Sequence, residues 1–170
     1  MKLNANVITR AATSADLGGI TDVFLRARKV LMPFAPLAHT DYDVCRWIAD
    51  WLIPTGRVTV AVGAHGLIVG MAATSEADGV LWLDQLYVFP PRVGQGIGTR
   101  LLTEVLSNAR LPVHLHCFAE NARARAFYER HGFVAIAFGD GSDNQEGCPD
   151  VVYALQVGAI QPANGIGLPG

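Results

Sequence analysis

The segment from Leu83 to Thr99, LDQLYVFPPRVGQGIGT, constrains the fold more than any other. An apolar strand pattern runs into Pro90 and Pro91, which cannot continue a ladder. Three alternate glycines follow, Gly94, Gly96 and Gly98, and then Ile97, Leu101, Leu102, Val105 and Leu106 fall on one helical face. Glycines let backbone come close to a ligand. The helix start adds unpaired N–H groups and a positive dipole end, so the turn suits a phosphate. A Walker A loop is excluded, because no lysine follows Gly98. A dinucleotide-binding GxGxxG is excluded as well. It would need a small residue at Thr99 or Leu101, and it would open the first βαβ unit, whereas this turn follows several strands.

The rest of the chain supplies those strands. Val7–Arg10 reads as a first strand, and Thr13 or Ser14 can cap a helix reaching about Val30. Pro33 and Pro36 make residues 32–39 a loop. A second helix starts at Thr40 or Asp41, carries Val44, Trp47, Ile48, Trp51 and Leu52 at helical spacing, and ends at Pro54 and Gly56. Val80–Phe89 is a strand entered through Asp78-Gly79. Val113–Phe118, Val134–Phe138 and Val151–Leu155 are further strands, with a helix over Ala122–His131 closed by Gly132. The order is β-α-α-β-β-β-α-β-α-β-β, a mixed α/β sheet with helices on both faces. Its 170 residues suit one domain, read as residues 1–157, followed by an uncharged Gly/Pro-rich tail at 158–170.

Hydrophobic residues make up 51% of the chain, which raises the question of a membrane. The uncharged stretch Val58–Ser75 is long enough to span one. Its alternating valines and the Ala64-His65-Gly66 turn signal instead read as a β-hairpin, so no membrane association is expected. The first residues hold no continuous apolar run of the secretory kind. Cys45, Cys117 and Cys148 are odd in number and far apart, which fits a reducing, cytoplasmic setting. The net charge of −2 hides three parts: −1 over residues 1–91, +3 over 92–130 and −4 over 131–170. No global basic field recruits nucleic acid, but an anionic ligand suits the middle part and a cationic one the last.

A second segment, Asn121 to Phe133, reads NARARAFYERHGF. Asn121 can cap a helix, and Ala124 and Phe127 can face a core. Tyr128 reads either as a hydrogen-bonded core tyrosine or as a functional one.

Together the two segments resemble the GNAT superfamily of acyl-CoA N-acyltransferases, over about Val7 to Leu155. That family's turn is written Gln/Arg-x-x-Gly-x-Gly/Ala, matched from Val93 to Gly98 except that Val93 stands for the Gln or Arg and Arg92 precedes it. Its Asn-x-x-Ala-Arg-x-Phe-Tyr-Glu-x-x-Gly-Phe pattern is matched in full from Asn121. The later Asp140-Gly141…Asn144-Gln145-Glu146…Pro149-Asp150 run resembles a loop of small bacterial GNAT enzymes.

The resemblance implies a GNAT-like, mostly antiparallel sheet and acetyl transfer from acetyl-CoA to a primary amine. It implies that the backbone of Leu86, Tyr87 and Val88 pairs with the pantetheine arm. N–H groups of Val93, Gly94, Gln95, Gly96, Ile97, Gly98 and Thr99 would hold the pyrophosphate, with Phe127 and Asn121 beside the arm. Arg92, Arg123 and Arg130 are candidates for nucleotide phosphates. It implies Tyr128 as general acid to the departing thiolate and the Val88 N–H as donor to the thioester oxygen. For the base, Asp84, Glu146 and a water chain stay open. The acceptor is expected between the first two helices and the last hairpin, near Phe34, Tyr42, Asp84, Glu146 and Asp150, with Trp47 and Trp51 either core or lining. Acidic and aromatic groups favour a small cationic amine. A peptide or protein amine, acylation of aminoacyl-tRNA, and a non-catalytic CoA-binding module are the rival readings; a homodimer is compatible with the family. No metal is expected, since His114-x-His116 has no companion spacing.

Overall fold

The computed structural model describes residues 6–156. The Gly/Pro-rich segment 158–170 lies outside these residues. The elements follow the expected order: β1 (Ile8–Ala11), α1 (Leu17–Leu31), α2 (Asp41–Trp47), β2 (Val58–Val62), β3 (Ile68–Ala77), β4 (Val80–Val88), α3 (Ile97–Asn108), β5 (Val113–Phe118), α4 (Ala122–Arg130), β6 (Val134–Gly139) and β7 (Asp150–Leu155). One seven-stranded sheet runs β1-β2-β3-β4-β5-β7-β6, and only β4 and β5 pair in parallel.

Local chemistry accounts for the punctuation. Thr13 and Asp16 form a capping box before α1, and Arg10 on β1 holds the Asp16 carboxyl down to about 2 by hydrogen bonding it. Asp78 and Gly79 both adopt positive φ, as a two-residue hairpin requires. The uncharged 58–75 stretch is the β2–β3 hairpin, turning at residues 64–66. No helix among the described residues is long and apolar enough to cross a membrane.

Two cores flank the sheet. Ile97, Leu101, Leu102 and Val105 of α3 and Tyr128 of α4 pack on one face, with Leu81, Leu83, Leu115 and Tyr153 from the strands. Ile20, Val23 and Phe24 of α1, Val44 of α2 and Ile48 pack on the other, over Val58, Val60 and Met71. Gly70 has no space for a side chain, because a Cβ there would sit 2.9 Å from Ile97 and Leu101. Its absence lets α3 lie close on β3.

The second helix departs from its expected form. After Trp47 the chain widens into a π turn over Ile48–Leu52 and then a 3₁₀ turn over Ile53–Thr55. The wider turn breaks the i,i+4 phase. Val44 and Ile48 stay buried and Trp47 packs edge-on against Phe24, but Trp51 is turned out and is 73% exposed.

Candidate active site

The sheet is split where the glycine turn predicts a ligand. β4 and β5 pair only at Leu81–Val113 and Trp82–His114, and beyond those positions they diverge. A bulge on the β3 side falls at the same place: Ala73 pairs with Gln85 and Thr74 with Leu83, so Asp84 is the extra residue. The Phe89 N–H donates to Val69 O on β3 at 2.9 Å. By strand alternation the Val88 N–H points the other way, into the gap. This edge of β4 is the kind of surface that accepts an added extended strand.

A cavity of about 440 Å³ opens along this gap. Leu86, Tyr87 and Val88 form one wall; Val93, Gly94, Gly96, Ile97, Gly98 and Thr99 form the end; Asn121, Arg123, Phe127, Tyr128 and Arg130 come from α4 and its start. Gly94 and Gly96 have φ of 84° and 83°, a region that favours glycine. Gly96 caps α3, so the first-turn N–H groups of Ile97, Gly98 and Thr99 have no intrahelical acceptor. Asn121 Oδ1 accepts from the Ala124 N–H at 3.2 Å, which leaves its amide NH₂ for a ligand. These residues fit a phosphopantetheine-bearing ligand by shape and donor set.

Two members of the expected coenzyme set are not among the residues lining this cavity. Arg92 and Gln95 are not in the cavity wall, and Arg92 Nε donates to Gln95 Oε1 at 2.7 Å. Val30, Leu31 and Met32 at the end of α1 also line the cavity, as does Ala124. Nothing in the local sequence of 30–32 marks them, because α1 reaches the cavity only through the fold. A second cavity, of about 350 Å³, lies at the far end of α3 among Arg10, Arg57, Glu76, Glu104 and Arg110, and holds none of the expected site residues.

Two tyrosines stand side by side, with ring centroids 6.4 Å apart. Tyr153 is the hydrogen-bonded one. It accepts from Arg125 Nε at 3.1 Å and donates to Glu129 Oε1 at 2.7 Å. Tyr128 is 8% exposed, packs edge-on against Phe127 and Phe133, and has no described hydrogen-bond partner for its hydroxyl. It borders the cavity, and burial pushes its pKa well up, so the phenol keeps its proton. Burial also pushes the Cys117 thiol up to about 11.

The opposite face of the gap carries side chains from five parts of the chain. Arg28, 7% exposed, donates to Glu146 Oε1 at 2.8 Å and to Ala35 O at 3.1 Å, and its guanidinium lies over Phe118 at 5.5 Å. Phe34 packs edge-on against Phe118 at 6.0 Å. Asp84 is exposed as a whole, but its carboxyl is crowded enough that desolvation raises its pKa against the pull of Ser75 and His116. Glu146 therefore faces a cation already present. Tyr42 is 71% exposed on α2 and borders neither cavity. Arg28, His116 and Phe118 had no motif to announce them. Among the described residues no group of three His, Cys, Asp or Glu is placed to hold a metal.

Known proteins agree with this architecture. Residues 24–133 match the model of the acetyltransferase (GNAT) family. No curated protein sequence matches the chain. A GNAT-family acetyltransferase from Bacillus cereus superposes with a TM-score of 0.71 at 16% identity, over 88% of this chain and 96% of that one. The PaiA N-acetyltransferase from Thermoplasma acidophilum, solved in complex with coenzyme A, gives 0.67 at 17% identity over 86% and 97%. The ribosomal-protein-S18-alanine N-acetyltransferase from Escherichia coli gives 0.69 at 16% identity over 95% and 99%. With the family model covering most of the chain and the split sheet in place, this protein belongs to the GNAT acetyltransferases and is an acyl-CoA N-acetyltransferase.

Proposed function

We propose that one domain, residues 1–157, moves an acetyl group from acetyl-CoA to the primary amine of a small cationic molecule by direct attack on the thioester. The observation that carries this reading is Tyr128: buried, protonated, with no hydrogen-bond partner for its hydroxyl among the described residues, and at the cavity wall beside the gap. Its hydroxyl is the proton donor to the departing thiolate. Acetyl-CoA, when bound, supplies the activated acyl carbon. The Val88 N–H donates to the thioester oxygen as that oxygen gains charge, an effect worth about 3–4 kcal/mol per donor in acyl transfer. The Leu86–Val88 edge aligns the arm, and the 93–99 backbone with Arg123 and Arg130 holds the phosphates. Cys117 remains a thiol, which supports attack by the amine itself over an acyl-cysteine route.

On the acceptor side, Asp84 takes the proton that the amine must lose. With Glu146 facing Arg28, the negative charge left for a cation is on Asp84 and Asp150. Phe34 and Phe118 supply aromatic surface. The three unpaired cysteines support a cytoplasmic setting. Exposed Val134, Ile136 and Phe138 on the sheet-edge strand β6 support pairing with a second copy, which sedimentation would detect.

Thiol release from acetyl-CoA across an amine panel tests the activity. Tyr128→Phe is expected to keep acetyl-CoA affinity and to slow turnover at least about tenfold. Wild-type turnover at saturating substrate would remove Tyr128 from the chemistry.

A further inference from the structure

On the acceptor face His116 has no part in the reaction proposed above. Val113, Leu115 and Cys117 of β5 enter the α3 core, so His114, His116 and Phe118 lie on the other face. Val151 and Tyr153 likewise place Asp150 and Val152 there. Trp82–His114 is the last pair that joins β4 to β5. Two residues further on, Asp84 and His116 flank the mouth of the gap from its two lips.

His116 is held on two sides. Its ring stacks on Trp82 at 5.1 Å with an interplanar angle of 17°. Its Nδ1 lies 3.0 Å from Asp150 Oδ2. A carboxylate can only accept, so Nδ1 carries the proton and Nε2 of the neutral ring carries the lone pair. Asp150 is itself seated. Its carboxylate fills the space where a side chain at position 139 would stand, and Gly139 leaves that space open. The titratable groups facing His116 are Asp84 from β4 and Asp150 from β7, with His114 two places along its own strand.

Resting on the function proposed above, we infer that His116 is a proton-relay residue for the acceptor amine: Asp84 takes the proton, Nε2 of His116 receives it from Asp84, and Asp150 fixes the imidazole in the tautomer that can receive it. The N–H bond of the acceptor breaks and leaves its electron pair on nitrogen, while an O–H bond forms on Asp84. That O–H bond then breaks as the N–H bond forms at Nε2, which restores the carboxylate and makes an imidazolium stabilised by Asp150. The His116 side chain is 59% exposed, so the imidazolium returns its proton to water. The thiolate takes its proton separately from Tyr128, and the second proton, lost by the acceptor nitrogen after attack, restores the Tyr128 hydroxyl. His116 acts through Asp84 and is a positioning and relay group, not one that touches the acyl carbon.

The test uses the full chain with saturating acetyl-CoA and spermidine, tyramine, lysine and glycinamide as acceptors, following thiol release against pH. His116→Ala is expected to lower kcat about tenfold or more, to leave the KM for acetyl-CoA unchanged, and to change the shape of the pH profile on its acid side. Free imidazole in the buffer restores part of the rate. Asp150→Asn is expected to lower the rate less than His116→Ala, because the imidazole loses the carboxylate that fixes its tautomer but keeps its stack on Trp82. A His116→Ala enzyme with wild-type kcat and pH profile overturns the relay. So does one in which only the acceptor KM rises, since that marks a binding contact. If the wild type releases thiol with none of the four amines, the reading of the site fails, and that failure is distinct from a silent His116 variant.

Discussion

The two ends of the cleft, one proposed for the coenzyme and the other for the acceptor, are built in opposite ways. The cavity proposed for the coenzyme is lined mainly by two short contiguous stretches, 86–99 and 121–130, with residues 30–32 beside them, and offers largely backbone: N–H groups of a helix start, a free strand edge, glycines at positive φ. The acceptor end gathers Arg28, Phe34, Asp84, His116, Phe118, Glu146 and Asp150 from five segments and works through side chains. Its Arg28–Glu146 ion pair joins residues 118 positions apart. Backbone sites constrain sequence only by forbidding side chains, so they leave compact motifs. Side-chain sites assembled across the fold leave none, and they can diverge without disturbing the first.

The largest effect expected on this contrast is at Arg28. Arg28→Met leaves Glu146 without its cation where its side chain is 15% exposed, which should cost about 3 kcal/mol of stability, the lower end for a broken buried pair. Denaturant unfolding would show it, and the double variant Arg28→Met/Glu146→Met should recover most of the loss. If the double variant is no better, the pair is not an isolated ionic unit. Next is Gly96→Val at φ 83°, expected to weaken acetyl-CoA binding by at least about tenfold, or 1.4 kcal/mol, with the acceptor KM unchanged. Calorimetry giving wild-type affinity would sink the phosphate site and with it the contrast. Tyr153→Phe should cost about 1 kcal/mol of stability for its lost hydrogen bonds, while kcat stays at the wild-type value. A fall in kcat there would mean that the two neighbouring tyrosines are not divided into structural and chemical roles. The smallest difference separates two arginines. Arg123→Ala should raise the acetyl-CoA Kd by about three- to fivefold, and Arg92→Ala by less than about twofold, because Arg92 is bonded to Gln95 outside the cavity. Equal effects would place Arg92 on the nucleotide after all.

What the sequence disclosed follows the same division. Element order, the hairpin in the uncharged stretch and the positive-φ glycine turn before α3 were readable, since each depends on neighbours along the chain; Tyr128 stood open between a core and a functional residue until the family resemblance gave it a role. The π turn at 48–52 was not, and it turned Trp51 outward against its i,i+4 spacing. Glu146 was legible as an acidic loop residue but not as the partner of Arg28, because periodicity places Arg28 on a helix and says nothing of what crosses from a loop far along the chain. His116 stood out only as half of a poor metal pair. Its neighbours Asp84 and Asp150 come from strands that meet it through the parallel β4–β5 step and the β5–β7 pairing, neither of which has a local signature.

The brief pairing of β4 with β5 has a consequence for how the free protein breathes. Along β4 past the bulge, alternate amides face different worlds: Phe89 is tied to Val69, while Val88 looks into the gap. Deuterium should therefore enter this strand in alternation, fast at Leu86 and Val88 and slow at Tyr87 and Phe89, a pattern unusual for the middle of a sheet. A bound pantetheine arm would act as the absent eighth strand and slow the fast set. The sheet of the free enzyme is in that sense unfinished, and in the proposed mode of binding its substrate is the piece that would complete it.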